Sequence, residues 1–352
     1  MRHSFDAINT VTFFGSGTAL TRIVKDLLGK KQVRVVTGKR LLETPSHDGR
    51  TLQAFLEAHR VPLEVYEDIN TDGKIQASLD SKTLGISLGA PWIFRQPLIN
   101  AFRGKLINGH SAPLPRERGG GGDSWRIMRR DRRGACILHL VTSQIDAGPI
   151  VKVHRYRFPA SCKIPKEFAA YAATKMYRLL RELLGEIERG VTFDLRPQAE
   201  HTSSYWPRLN TKVHGYLDWS WPLEDLAAFI DAFDEPYGGA STFLNGQRVH
   251  LRKARVDTSD ERFHPFQAGL VYRKTKDDLW VAAHEGSLVV SEVLTQLGKP
   301  ILQRVTLGDR FYTPWRYLEA ARCARVFYTA TGFVVQGHAR RTHLRRVPVG
   351  AR

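Results

Sequence analysis

The sequence predicts an α/β protein: a Rossmann-like, doubly wound and mostly parallel sheet, followed by a small OB-like β-barrel. Three observations lead there. Short apolar runs alternate with stretches of helical periodicity through the first part of the chain. A polar segment with two prolines, residues 191–207, then breaks the pattern. After it come short strands separated by turn residues, as in a small antiparallel barrel. A chain of 352 residues accommodates two such domains. The expected boundaries are 1–200 for the first domain, 201–335 for the barrel domain and 336–352 for a basic, flexible tail.

Residues 9–14 read as the first strand, and Gly15-Ser16-Gly17 as a tight turn. Helical spacing follows over 18–28, with Leu20, Ile23, Val24, Leu27 and Leu28 on one face. Strands are expected at 32–37, 61–65, 83–88 and 105–107, with a helix over 52–59. A second apolar run, 135–141, leads to Ile145-Asp146-Ala147-Gly148. A long helix over 165–189 closes the domain, its apolar face marked by Phe168, Tyr171, Ala172, Leu179, Leu180, Leu183 and Ile187. Past the boundary, a short helix over 223–233 precedes strands within 236–243, 247–256, 269–272, 279–282 and 286–291.

The Gly15-Ser16-Gly17 turn lacks the third glycine of a dinucleotide fingerprint, and no acidic residue ends the second strand. The glycine run 119–122 is not followed by Lys-Ser or Lys-Thr, so it is not a phosphate-binding P-loop; it is expected to let backbone approach a ligand. Cys136, Cys162 and Cys323 lie far apart, without disulfide or zinc spacing. No apolar stretch approaches a membrane span and no signal core follows Met1, so the expectation is a cytoplasmic protein without membrane contact. The formal net charge is +18, which points to a phosphate-rich partner or substrate without separating nucleic acid from nucleotide.

The chemistry concentrates in residues 105–151. Asn108 and His110 stand two apart at the end of a strand, so they share a side. Open α/β sheets bind ligands at that edge. Asp146 arrives from the loop after the next apolar run. Amide, imidazole and carboxylate together suit acyl transfer: a donor for an oxyanion, a base for an amine proton, and a group that orients the base. His139, His154, His214, His264 and His284 have no partner pattern and are expected to be structural or solvent-facing.

Asn108-Gly-His110-Ser111, then Pro115, then Arg118-Gly119, then Asp146-Ala-Gly148 resembles the formyltransferases that use 10-formyltetrahydrofolate. One extra residue stands in Ser111-Ala-Pro-Leu-Pro115 relative to that family, and His214-Gly215 replaces its usual Asp-Gly before the barrel. The resemblance covers roughly 10–320 and implies roles: Asn108 as oxyanion donor, His110 as base, Asp146 orienting the imidazole. It implies 10-formyltetrahydrofolate as formyl donor and no metal. The pterin slot falls on Pro91, Trp92, Ile93 and Phe94 with Ser143, Gln144 and Ile145. The acceptor side falls on Ser111, Arg118, Gly120, Gly121 and Trp125. The short loop after the second strand (Lys39-Arg40 as its only basic pair) and the Arg118-Gly-Gly-Gly-Gly-Asp-Ser-Trp125 run look closer to enzymes that formylate nucleotide-linked amino sugars. Initiator tRNA is the alternative acceptor, favoured by the charge. A homodimer is compatible with the resemblance.

Overall fold

The computed structural model describes residues 1–71, 73–259, 262–336 and 345–348. Its first sheet has seven strands: β1 (Thr10–Gly15), β2 (Gln32–Thr37), β3 (Leu63–Val65), β4 (Thr83–Leu88), β5 (Leu106–His110), β6 (Arg133–Leu140) and β7 (Ile150–Arg157). Their spatial order is β3-β2-β1-β4-β5-β6-β7. The first five are mutually parallel, while β6 and β7 run antiparallel to their neighbours. β4 is buried along its whole length and reads Thr-Leu-Gly-Ile-Ser-Leu, as a strand covered on both faces does. The order reverses direction at β1, which places the ligand-binding edge where β1 and β4 end.

Helices α1 (Thr18–Leu27) and α5 (Pro165–Glu188) pack on one face of this sheet, and α2 (Leu52–Ala58) joins the same core. Pro165 at the first turn and Glu167, which accepts from the Ile164 N–H at 3.2 Å, start the long helix. Gly15 is a packing glycine: a Cβ there would lie 2.1 Å from the Leu88 carbonyl oxygen. That close approach explains the Gly-x-Gly turn without a dinucleotide.

The helix α4 (Gly122–Met128) grows out of the glycine run that reads as a loop in the sequence. Farther on, α6 (Leu223–Ala232) leads into β8 (Ala240–Leu244), β9 (Gln247–Asp257), β10 (Val271–Lys274), β11 (Leu279–Ala283), β12 (Gly286–Thr295) and β13 (Phe311–Tyr312). These form one antiparallel sheet in the order β10-β11-β12-β9-β8-β13. Its two edges meet, because Leu270 bridges Arg310 and the Phe311 N–H donates to the Gly269 carbonyl at 2.8 Å, so the sheet curls into a small barrel. The barrel core continues into Ile127, Phe158 and Phe168 of the first layer.

After the barrel, α7 (Trp315–Cys323) leads to a three-stranded antiparallel sheet of β14 (Arg325–Tyr328), β15 (Gly332–Gln336) and β16 (Arg345–Pro348). The last of these strands falls in the stretch expected as a flexible tail, and it is paired with β15. The remainder of that tail lies outside the described residues. Among the described residues, no helix is long and apolar enough to cross a membrane, and no His, Cys, Asp or Glu cluster could hold a metal.

Candidate active site

Asn108 and His110 leave the same side of β5 and both reach Asp146. The loop between β6 and β7 returns over the strand pair, with Asp146 in a left-handed conformation at φ 51°. Gly148, just beyond, could not carry a side chain: its Cβ would lie 1.7 Å from the Leu140 carbonyl oxygen. Gln198 fixes the turn by donating from Nε2 to the carbonyls of Asp146 and Gly148, each at 2.8 Å.

The two Asp146 oxygens are divided between partners. Oδ1 accepts from Asn108 Nδ2 at 3.2 Å, and Oδ2 accepts from the Gly119 backbone N–H at 2.8 Å. His110 Nδ1 faces Oδ2 at 3.6 Å. Burial pushes the Asp146 carboxyl up, but His110, His139 and the Gly119 N–H outweigh it and hold it well below the ordinary carboxylate range. Burial pushes His110 below its ordinary value despite the attraction of Asp146. The imidazole is therefore neutral near pH 7. His110 Nε2 donates to the Glu117 carbonyl at 2.6 Å, since a carbonyl only accepts, which leaves the Nδ1 lone pair towards Asp146.

The sequence reading missed His139. The antiparallel register sets it directly opposite Asn108. Its Nδ1–H donates to the Leu140 carbonyl at 2.9 Å, so Nε2 accepts from Asn108 Nδ2 at 3.1 Å; Nε2 also lies 3.6 Å from Asp146 Oδ1. The signal for His139 is its cross-strand pairing with Asn108, which requires the direction of β6. In this arrangement both amide hydrogens of Asn108 are engaged, one by Asp146 and one by His139.

Several residues expected on the acceptor side also hold the scaffold together. Arg118 is 8% exposed and bound to Glu200, at 3.0 and 2.9 Å, and to Gln198 Oε1 at 3.3 Å, so its charge is spent holding the linker. Gly121 is buried, and a Cβ there would meet the Pro207 carbonyl at 2.2 Å; Gly119 is equally tight against Trp206 and Tyr205. The glycine run thus admits the linker backbone, where a ligand was expected. Trp125 donates from Nε1 to the Pro207 carbonyl at 2.8 Å and meets Trp206 at a ring distance of 5.5 Å, anchoring the same segment. Gly120 and Ser111 remain exposed.

On the other side, Phe94 is core, 6% exposed and edge-on to Phe14 at 5.2 Å. Trp92 is half-buried, its Nε1–H held by the Glu67 carbonyl at 2.9 Å, and Pro91 is half-buried beside it. Ile93 and Ile145 are different: they are large apolar side chains left 60% and 42% exposed. Ser143 and Gln144 are exposed next to Ile145. Trp92, Phe94 and Val141 belong to one apolar cluster, which joins the two segments expected to line a slot.

A doubly wound sheet thus gathers an amide, two imidazoles and a carboxylate beside β5, groups of the kind that general acid–base chemistry uses. A family profile described as the C-terminal domain of formyl transferase matches residues 210–307, which is the α6-and-barrel region. The methionyl-tRNA formyltransferase of Bdellovibrio bacteriovorus is 24% identical over 304 residues, covering 80% of this chain and 90% of that protein. An N-formyltransferase from Helicobacter canadensis, solved with folinic acid and dTDP-3-aminofucose, superposes with a TM-score of 0.62 at 16% identity, over 81% of this chain and 99% of that one. WlaRD, a sugar 3N-formyltransferase solved with dTDP and 5-N-formyl-THF, gives 0.61 at 16%, over 82% and 98%. The chain is thus similar to formyltransferases over 80% of its length, and its residues 210–307 match the C-terminal domain of that family.

Proposed function

We infer that the protein moves a formyl group from 10-formyltetrahydrofolate to the primary amine of a nucleotide-linked amino sugar. The observation that carries formyl transfer is the shared carboxylate: Asp146 meets Asn108 through one oxygen and His110 through the other. A neutral imidazole with a free Nδ1 lone pair beside a carboxylate is ready to take the proton of an attacking amine, and Asp146 stabilises the imidazolium that results. As charge grows on His110, Asp146 is drawn to it and its long bond to Asn108 weakens. That frees one Asn108 hydrogen for the formyl oxygen, the only way this side chain serves as oxyanion donor. His139 keeps the other hydrogen and so holds the amide in place.

The donor's flat ring suits the exposed Ile93 and Ile145, which offer apolar surface with backbone polar groups nearby. For the acceptor, the sugar reading is supported by the short loop after β2, by a similar structure holding dTDP-3-aminofucose and by another described as a sugar 3N-formyltransferase and solved with dTDP. A second reading, initiator tRNA, is favoured by the name of the Bdellovibrio relative and by the net charge of +18. Incubation with 10-formyltetrahydrofolate and a panel of nucleotide-linked 3- and 4-amino sugars, alongside charged initiator tRNA, tests the reading by mass spectrometry. Formylation of an amino sugar supports it; formylation of the tRNA alone rejects the sugar. Salt adds an independent readout, since a tRNA acceptor that engages several phosphates loses about 10³-fold or more in affinity between low and moderate salt.

A further inference from the structure

The C-terminal sheet is docked on the first domain. The turn between β14 and β15 meets the loop after β2: the Arg40 N–H donates to the Ala330 carbonyl at 3.1 Å, and Arg40 Nε donates to the Thr329 carbonyl. The fit leaves no slack, because a Cβ on Gly38 would lie 2.9 Å from the Ala330 Cβ. Docking brings Tyr328 between two arginines. The guanidinium of Arg40 lies 5.6 Å from its ring centroid and that of Arg208 lies 4.5 Å from it. The Tyr328 hydroxyl donates to the Leu209 carbonyl at 2.9 Å and accepts from Asn210 Nδ2 at 3.3 Å, so the ring is fixed against the linker as well.

Arg208 also touches the active-site loop. Its Cβ and Cδ would be 3.6 and 3.8 Å from a Cβ on Gly120, one residue beyond the Gly119 N–H that holds Asp146. Among the described residues, no carboxylate pairs with the half-buried Arg40 or the exposed Arg208, whereas the buried Arg118 and Arg126 each have one. Burial, then the nearby charge of Arg208, bring Arg40 down to about 10. Two cations held on one ring without a counter-charge form an unfinished ion cluster, and an anion completes it.

We propose that Arg40 and Arg208, braced by Tyr328 of the C-terminal sheet, bind the diphosphate of the acceptor. This assignment rests on the nucleotide-linked reading above and deepens it. It places the phosphates on the Gly120 side of Asp146, and it gives β14–β16, which follow the matched residues 210–307, a part in binding. Guanidinium forks suit phosphate oxygens by paired hydrogen bonds, and the aromatic ring keeps both forks oriented without neutralising them.

Calorimetric titration of the full chain with inorganic pyrophosphate, UDP and dTDP tests this without any turnover. The expected result is saturable binding that weakens by about tenfold or more in Arg40→Gln and in Arg208→Gln, as loss of a charge-assisted contact does. Arg316→Gln, which removes an exposed charge stacked on Tyr317, should leave it unchanged. Thermal melting of each variant confirms that it is folded; if Arg40→Gln unfolds, Tyr328→Leu, which removes the brace and keeps both charges, takes its place with the same expected loss. Wild-type affinity in the folded variants, or equal weakening in Arg316→Gln, would overturn the proposal. So would competition by uncharged tRNA without competition by the diphosphates. Diphosphate binding by the wild type that is lost in the arginine variants, together with failure of every amino sugar to be formylated, would leave the anion site standing and remove only the acceptor reading.

Discussion

His110 stands between two acceptors, the Glu117 carbonyl and the Asp146 carboxylate, and holds one proton to satisfy them both. Its folded pKa lies below the ordinary value of ~6.5 because burial outweighs the carboxylate. The sign of the consequence is fixed. Below ~6.5 the unfolded chain takes up a proton that the folded chain refuses, so stability falls as pH drops through the window between the two values and is level above it. Denaturant unfolding of wild type and His110→Asn between pH 5 and 8 should show this acid loss in the first and a flatter profile in the second. The neighbouring imidazole makes a different prediction. His139→Leu strands an Asn108 hydrogen at a cost of about 1–3 kcal/mol, visible as a lower unfolding midpoint, with turnover reduced. His139→Gln, which returns an acceptor, should recover much of both. Unchanged turnover in His139→Leu would mean that Asn108 needs no such support.

At the scale of elements, the site depends on a short helix that the sequence disguised. Arg126 of α4 is fully buried and donates to Glu117 Oε2 at 2.7 Å and to Asp123 Oδ1 at 3.1 Å, while Arg129 takes Glu117 Oε1 at 2.8 Å. Glu117 is thereby clamped by its side chain while its carbonyl holds His110. Arg126→Met should cost about 3–5 kcal/mol, because it leaves the buried Glu117 and the half-buried Asp123 short of a partner. Calorimetric melting checks the number, and a loss under ~1 kcal/mol would show the cluster to be solvated. Asp123 has its carboxyl pushed up to about 6 by burial.

These elements also mark what was legible. Asn108 and His110 could be read from their spacing of two, and α5 and β4 from periodicity and β-branched or apolar runs. α4 could not, because four glycines in a row erase helix propensity and only the Arg126–Glu117–Asp123 cluster restores the balance. His139 was hidden because a strand's direction is set by its partners, not by its own residues. For Arg118 and Gly121, expected on the acceptor side from the resemblance, the contacts with the linker were not legible, because a charge and a glycine in a loop look alike whether they meet a ligand or another stretch of chain.

Across the whole molecule, the linker around 198–210 joins the parts. It supplies Gln198 to the Asp146 turn, Glu200 to Arg118, Pro207 to Trp125, and Leu209 and Asn210 to Tyr328. The barrel and the C-terminal sheet are thus tied to the loops that hold Asp146 and His110. The measurement that bears most directly on the account is the pH dependence of kcat/KM for formyl transfer in wild type and Asp146→Asn. The account predicts a wild-type acid limb below pH ~6.5, and a variant slower by about 10²-fold or more whose limb moves to still lower pH, since the carboxylate no longer favours the imidazolium. A variant with wild-type rate and an unmoved limb would contradict it.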